Sequence, residues 1–128
     1  MKRDLDLMRL LLIDIENDSR GDGRNLFKLT PSFEGYAPEV VAYHFRMMVD
    51  GGLINGEVRH GGKMSFRGVT YKGHDLIDAI REPDIWRQTK AAVGAAGGWT
   101  FDIIKDLATA IIKAKVKAKL KDAVGLDL

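Results

Sequence analysis

Near the start of the chain, Leu5, Met8, Leu11, Leu12 and Ile15 recur at helical spacing behind Asp4, a residue suited to capping. The pattern predicts a helix over about residues 4–17. Leu7, Leu10 and Ile13 point away from that face, so the helix is apolar around much of its circumference, as expected for one covered on two sides. It belongs at the centre of a core, with Leu10 and Ile13 as candidate contacts to a second copy or a partner. Ser19-Arg20-Gly21-Asp22-Gly23 ends it, and the short alternating run from Leu26 to Phe33 reads as an edge strand.

Pro38 suits the first turn of a second helix, which runs to Asp50 and stops at Gly51-Gly52. Winding it places Val41, Ala42, Phe45, Met48 and Val49 on one face, and Glu39, Tyr43, Arg46, Met47 and Asp50 on the opposite, solvent side. Two strands follow, from Leu53-Ile54 to Arg59 and from Lys63 to Val69, joined by His60-Gly61-Gly62. Their alternation turns Ile54, Val58, Met64 and Phe66 inward and gathers Arg59, His60 and Lys63 at the tip.

Thr70 is placed to cap a third helix carrying Leu76, Ile77 and Ile80. Glu82-Pro83 interrupts it, and Asp84 to Val93 reads as another helical segment around Trp86. Gly94, Gly97 and Gly98 suggest a flexible joint. Thr100 then caps a helix of about twenty residues with the stripe Phe101, Ile104, Leu107, Ala108 and Ile111. Further on, Lys115 and Lys119 enter the stripe, and Ile112, Val116 and Leu120 form a second row around the side. The expected organisation is a domain over 1–93, a joint at 94–98 and a basic amphipathic helical arm over 99–128.

At 128 residues the chain fits one globular unit with an appendage, and it is long enough to fold without disulfides or metal. It contains no cysteine, which excludes thiolate metal sites and cysteine nucleophiles. No apolar run approaches membrane-span length, so a cytoplasmic setting is the expectation. The formal charge of +2 comes from the tail: six lysines face four aspartates after Lys90, whereas the preceding 90 residues balance. A basic surface for nucleic acid would therefore have to be local.

Catalytic patterns are weak. Ser19, Ser32 and Ser65 lie outside any Gly-x-Ser-x-Gly turn, and Gly61-Gly62-Lys63 lacks the remaining positions of a phosphate loop. His74 with Asp75 and Asp78 offers an imidazole and carboxylates on one helical turn, but no ligand set accompanies it. A bonded histidine near a helix start is the simpler reading, as packing is for His44 between Tyr43 and Phe45. No enzyme, cofactor or metal site is expected.

A helix, a second helix ending in Gly-Gly-Leu-Ile, a hairpin with a basic tip and a further helix follow the order of a winged helix-turn-helix domain: an α+β, mainly helical fold with a small hairpin wing. The segments Met1-Lys2-Arg3-Asp4-Leu5-Asp6-Leu7, Tyr43-His44-Phe45, Gly52-Leu53-Ile54 and Gly73-His74-Asp75-Leu76-Ile77-Asp78-Ala79-Ile80-Arg81 carry a further likeness, with Trp86, Lys90 and Gly97-Gly98 following. In these the chain resembles domain of unknown function 2513, a family frequent in phages and prophages. The resemblance implies a winged-helix-like fold and a mobile-element setting. Where a standard winged helix carries a positioning helix, ahead of Pro38, this chain has Gly-rich and strand-like sequence.

Two functions fit this reading. One is binding of double-stranded DNA by a transcriptional regulator, with Tyr43 and Arg46 toward base edges, Arg59, His60, Lys63 and Arg67 on the wing, and Lys2 and Arg3 on the backbone. The alternative is a protein-binding winged helix that inhibits or redirects a host protein or defence complex. Ile104, Leu107 and Ile111, with Leu10 and Ile13, are the candidate contacts to a partner or to a second copy in a homodimer.

Overall fold

The computed structural model describes residues 1–124. The order is α1 (Leu5–Asn17), β1 (Phe27–Leu29), α2 (Pro38–Asp50), β2 (Ile54–Arg59), β3 (Lys63–Val69), α3 (Tyr71–Ile80), α4 (Pro83–Ala96) and α5 (Phe101–Val124). The fold is α+β and mainly helical. Positions 125–128 of the expected arm lie outside the described residues.

The chain forms two compact units, the first Met1–Ile77 and the second beginning at Asp78. The division falls within α3, upstream of the expected joint at 94–98. Gly94 lies inside α4, and the helix ends at Gly97, whose φ of 77° is left-handed and whose N–H bonds Val93 O at 3.2 Å.

In the first unit α1 starts as its sequence dictates, the Asp4 carboxylate accepting from the Leu7 N–H at 3.0 Å. Leu7, Met8, Leu11, Leu12 and Ile15 are buried, while Leu10 is 38% exposed, so its second apolar face is only partly covered. The antiparallel sheet has the order β1-β3-β2. α1 and α2 pack on each other and on this sheet, with Phe45 of α2 and Phe66 of β3 fully buried in the core. A bulge at Asn55–Gly56 sits beneath Phe45. A Cβ on Gly56 would come within 2.5 Å of Ser65 O and 3.2 Å of Phe45 Cζ, so the ring approaches the strand because this position is glycine.

β1 is shorter than the alternation from Leu26 to Phe33 suggests. Only Phe27, Lys28 and Leu29 pair with β3, and Pro31 has no N–H with which to extend the ladder. No helix separates α1 from α2. The loop there is tied down by its own side chains. Arg20 pairs with Asp18 at 2.7 Å and lies over the rings of Phe27 and Phe66, at 5.7 and 5.5 Å from their centroids. Asp22 accepts from the N–H groups of Arg24 and Asn25, each at 2.8 Å, and the Gly23 N–H bonds Arg67 O at 2.9 Å.

Thr70 caps α3 as expected, its hydroxyl accepting from the Gly73 N–H at 3.0 Å and donating to Gly52 O at 2.6 Å. One hydroxyl thus joins the end of α2 to the start of α3. In the second unit Glu82 caps α4 ahead of Pro83, accepting from the N–H groups of Asp84 and Ile85 at 2.9 and 2.8 Å. Thr100 caps α5 through the Ile103 N–H at 3.2 Å. α4 and α5 pack as a pair, and Lys115 bonds Asp84 across them at 2.5 Å.

Candidate functional site

The solvent side of α2 and the β2–β3 hairpin enclose a groove of about 590 Å³. Glu39, Tyr43 and Arg46 line it from α2 together with Pro38 and Ala42, and Val58, Gly61, Gly62 and Met64 line it from the hairpin. The helix faces outward here because its apolar residues Val41, Phe45 and Met48 are spent on the core, which leaves Tyr43 38% exposed and Arg46 in solvent. The groove lies at the seam between the helix's buried and exposed faces, so the inward-facing Ala42 also reaches it.

His44 fixes the helix from behind. Its ring is fully buried; Nε2 accepts from the Asp4 N–H and Nδ1 donates to Val40 O, both at 2.8 Å. The two bonds select the neutral tautomer with its proton on Nδ1. They also hold the segment carrying Lys2 and Arg3 against α2. Tyr36 reinforces the joint by donating to the Asp4 carboxylate at 3.1 Å. Its hydroxyl pKa is pushed above the usual phenolic value, by desolvation first and this hydrogen bond second.

The hairpin divides its residues between two faces. Val58 pairs with Met64 and Arg59 with Lys63, and alternation puts the basic pair on the face turned away from the groove wall. Arg59 bonds Glu57 at 3.2 Å, while Lys63 and His60 are exposed. Gly61 and Gly62 have φ of 82° and 75° and complete the turn, closed by the Gly62 N–H to Arg59 O at 3.1 Å. Of the expected wing residues Arg67 stands apart. Its guanidinium donates to Arg24 O at 3.3 Å and to Asn55 Oδ1 at 3.4 Å, so it braces the loop after α1.

The structure therefore brings Tyr43 and Arg46 together with the hairpin turn, sets Arg59, His60 and Lys63 at the tip, and gives Arg67 a bracing role. Alternation turns Val58 and Met64 inward, and Met64 is buried and Val58 half-buried accordingly, but alternation does not show that these two and Pro38 and Ala42 border a groove. Among the expected partner contacts, Ile104 is 2% exposed and is corrected to a core residue, for a stripe that packs within the chain is closed to partners. Leu107 and Ile111 are half-buried, Ile13 likewise, and Leu10 remains exposed. His74 bonds the Glu16 carboxylate at 3.2 Å, joining α3 to α1. Among the described residues no group of three or more His, Cys, Asp or Glu could hold a metal ion, and no helix is long and apolar enough to cross a membrane.

An outward helix beside a three-stranded sheet with a protruding hairpin is consistent with a winged-helix-like arrangement, with one helix fewer than the standard unit before α2. Residues 2–99 match the family described as "Hypothetical protein (DUF2513)", and the chain belongs to this family. A protein of Haemophilus influenzae strain Rd called "Uncharacterized protein" is 34% identical over 116 residues, covering 88% of this chain and 96% of its own length. No solved structure matches the chain.

Proposed function

We propose that this protein is a non-enzymatic, cytoplasmic DNA-binding regulator, in the phage or prophage setting that its family resemblance implies, and that it engages double-stranded DNA through α2 and the hairpin. The observation that carries the reading is the shared groove, in which Tyr43 and Arg46 of α2 stand beside the Gly61-Gly62 turn. A helix presented to the major groove needs a neighbouring element on the phosphate backbone, and the tip residues Arg59, His60 and Lys63 offer one. Arg46 would address a base edge, where a bidentate arginine contributes about 1–3 kcal/mol of discrimination. Lys2 and Arg3, attached to α2 through the Asp4–His44 bond, would add backbone contacts.

A second reading is a protein-binding module acting on a host protein or defence complex. It is favoured by the apolar groove wall and by the Glu39 carboxylate, which repels phosphate. Fluorescence anisotropy with random duplex DNA at about 50 and 200 mM salt separates the two. DNA binding should lose orders of magnitude across that range and be abolished by Arg59→Glu with Lys63→Glu. Salt-insensitive behaviour, or affinity unchanged by the charge reversals, rejects the wing assignment.

A further inference from the structure

The second half of α5 carries a surface that neither reading uses. From Lys113 to Ala123 every residue is exposed, with Val116 and Leu120 at 50% and 47%, and these two continue a row that begins at the half-buried Ile112. The row is not an extension of the buried stripe. Val116 follows Ile104, and Leu120 follows Ala108, by twelve residues, which at about 3.6 residues per turn rotates the row by about 120°. A straight helix therefore cannot bury both sets against one neighbour.

Width and charge define what fits. Ile112, Val116 and Leu120 stand four residues apart and span about 80° of the helix, the narrow seam of a helix–helix contact. Membrane-surface helices present a broader apolar face with aromatic residues, and none lies on this row. Lys113 and Lys117 flank the row on one side; on the other, Lys115 and Lys119 share a hollow with Glu82 and Asp84 at the start of α4, and Lys115 is held by Asp84. An antiparallel second copy would set Lys113 and Lys117 against their own counterparts, which repels.

We infer that the row Ile112–Val116–Leu120 is a docking seam for a partner protein that presents an α-helix whose own apolar row is flanked by aspartate or glutamate. The seam supplies apolar burial and the lysines select the partner's charge. It lies on the second unit and does not depend on how α2 and the hairpin are used.

The test uses the full chain and a fluorescein-labelled synthetic helical peptide with leucines at three- and four-residue spacing flanked by glutamates. A second peptide has lysines in place of the glutamates. Saturable binding of the acidic peptide alone is expected. Val116→Asp should weaken it at least tenfold, and Lys113→Glu with Lys117→Glu should shift preference toward the lysine peptide. These side chains are exposed, so unchanged far-ultraviolet circular dichroism separates a binding defect from unfolding. The inference is overturned if the acidic peptide does not bind, if the variants bind it equally well, if Val116→Asp instead releases the chain from phosphatidylglycerol vesicles, or if it dissociates a homodimer seen by sedimentation.

Discussion

His44 shows how one side chain can connect two distant pieces of sequence. Its neutral ring accepts from Asp4 and donates to Val40, so the N-terminal segment and the middle of α2 share one buried group. Replacing it with phenylalanine keeps the bulk but leaves the Asp4 N–H without its acceptor, and should cost about 1–3 kcal/mol in urea unfolding. The packing around His44 is legible from its neighbours Tyr43 and Phe45, but the bond to a residue forty positions away is not, because sequence spacing carries no record of tertiary approach. Two glycines give a second contrast at this scale. Gly56→Ala collides with Ser65 O and the Phe45 ring, whereas a Cβ at Gly61 meets nothing and suffers only from its left-handed backbone. Denaturation should show Gly56→Ala as the larger loss, with Gly61→Ala at about 1–2 kcal/mol.

At the scale of elements, the caps were the most readable feature. Asp4 and Thr70 act as their residue types predict, and so does Thr100, since a side-chain oxygen ahead of an apolar period has few alternative uses. Thr70→Ala should cost about 1–2 kcal/mol, and more than Thr100→Ala, because Thr70 also donates to the end of α2. Acid should expose the charged contacts. Asp18 is held below its ordinary value by hydrogen bonding to Arg20, Asp22 by the Asn25 and Arg24 amides, Glu82 by those of Asp84 and Ile85, and Asp84 by Lys115. Carboxyls lowered in the folded state contribute stability above their unfolded values and lose it as pH falls through the folded ones. The urea midpoint should thus hold at neutral pH and decline below about pH 4. Glu82→Gln should lower the midpoint at pH 7 and make the acid decline shallower. Strand lengths were read less well: alternation runs through Pro31, but a ladder needs the N–H that proline lacks.

For the molecule as a whole, the order of elements, the hairpin and the missing helix before α2 could all be read from punctuation by glycine and proline. The groove could not. Its wall combines residues from α2 and both hairpin strands, and only the paired register shows that half-buried Val58 and buried Met64 lie at its base while Arg59 and Lys63 face away. If α2 and the hairpin bind DNA together, Arg46→Ala should relax sequence preference at about 1–3 kcal/mol with little change in salt dependence. Lys63→Ala should weaken all duplexes alike and reduce the logarithmic salt slope by about one. Competitive anisotropy against a set of duplexes, repeated at several salt concentrations, distinguishes the two effects.

The hairpin tip also has a practical use. The chain contains no cysteine, and His60 projects from a turn whose two glycines leave open space around them. His60→Cys would therefore create a unique thiol, and a dye attached there would sit beside the groove without entering the core. Its emission would report directly whether a duplex or a protein approaches this edge of the molecule.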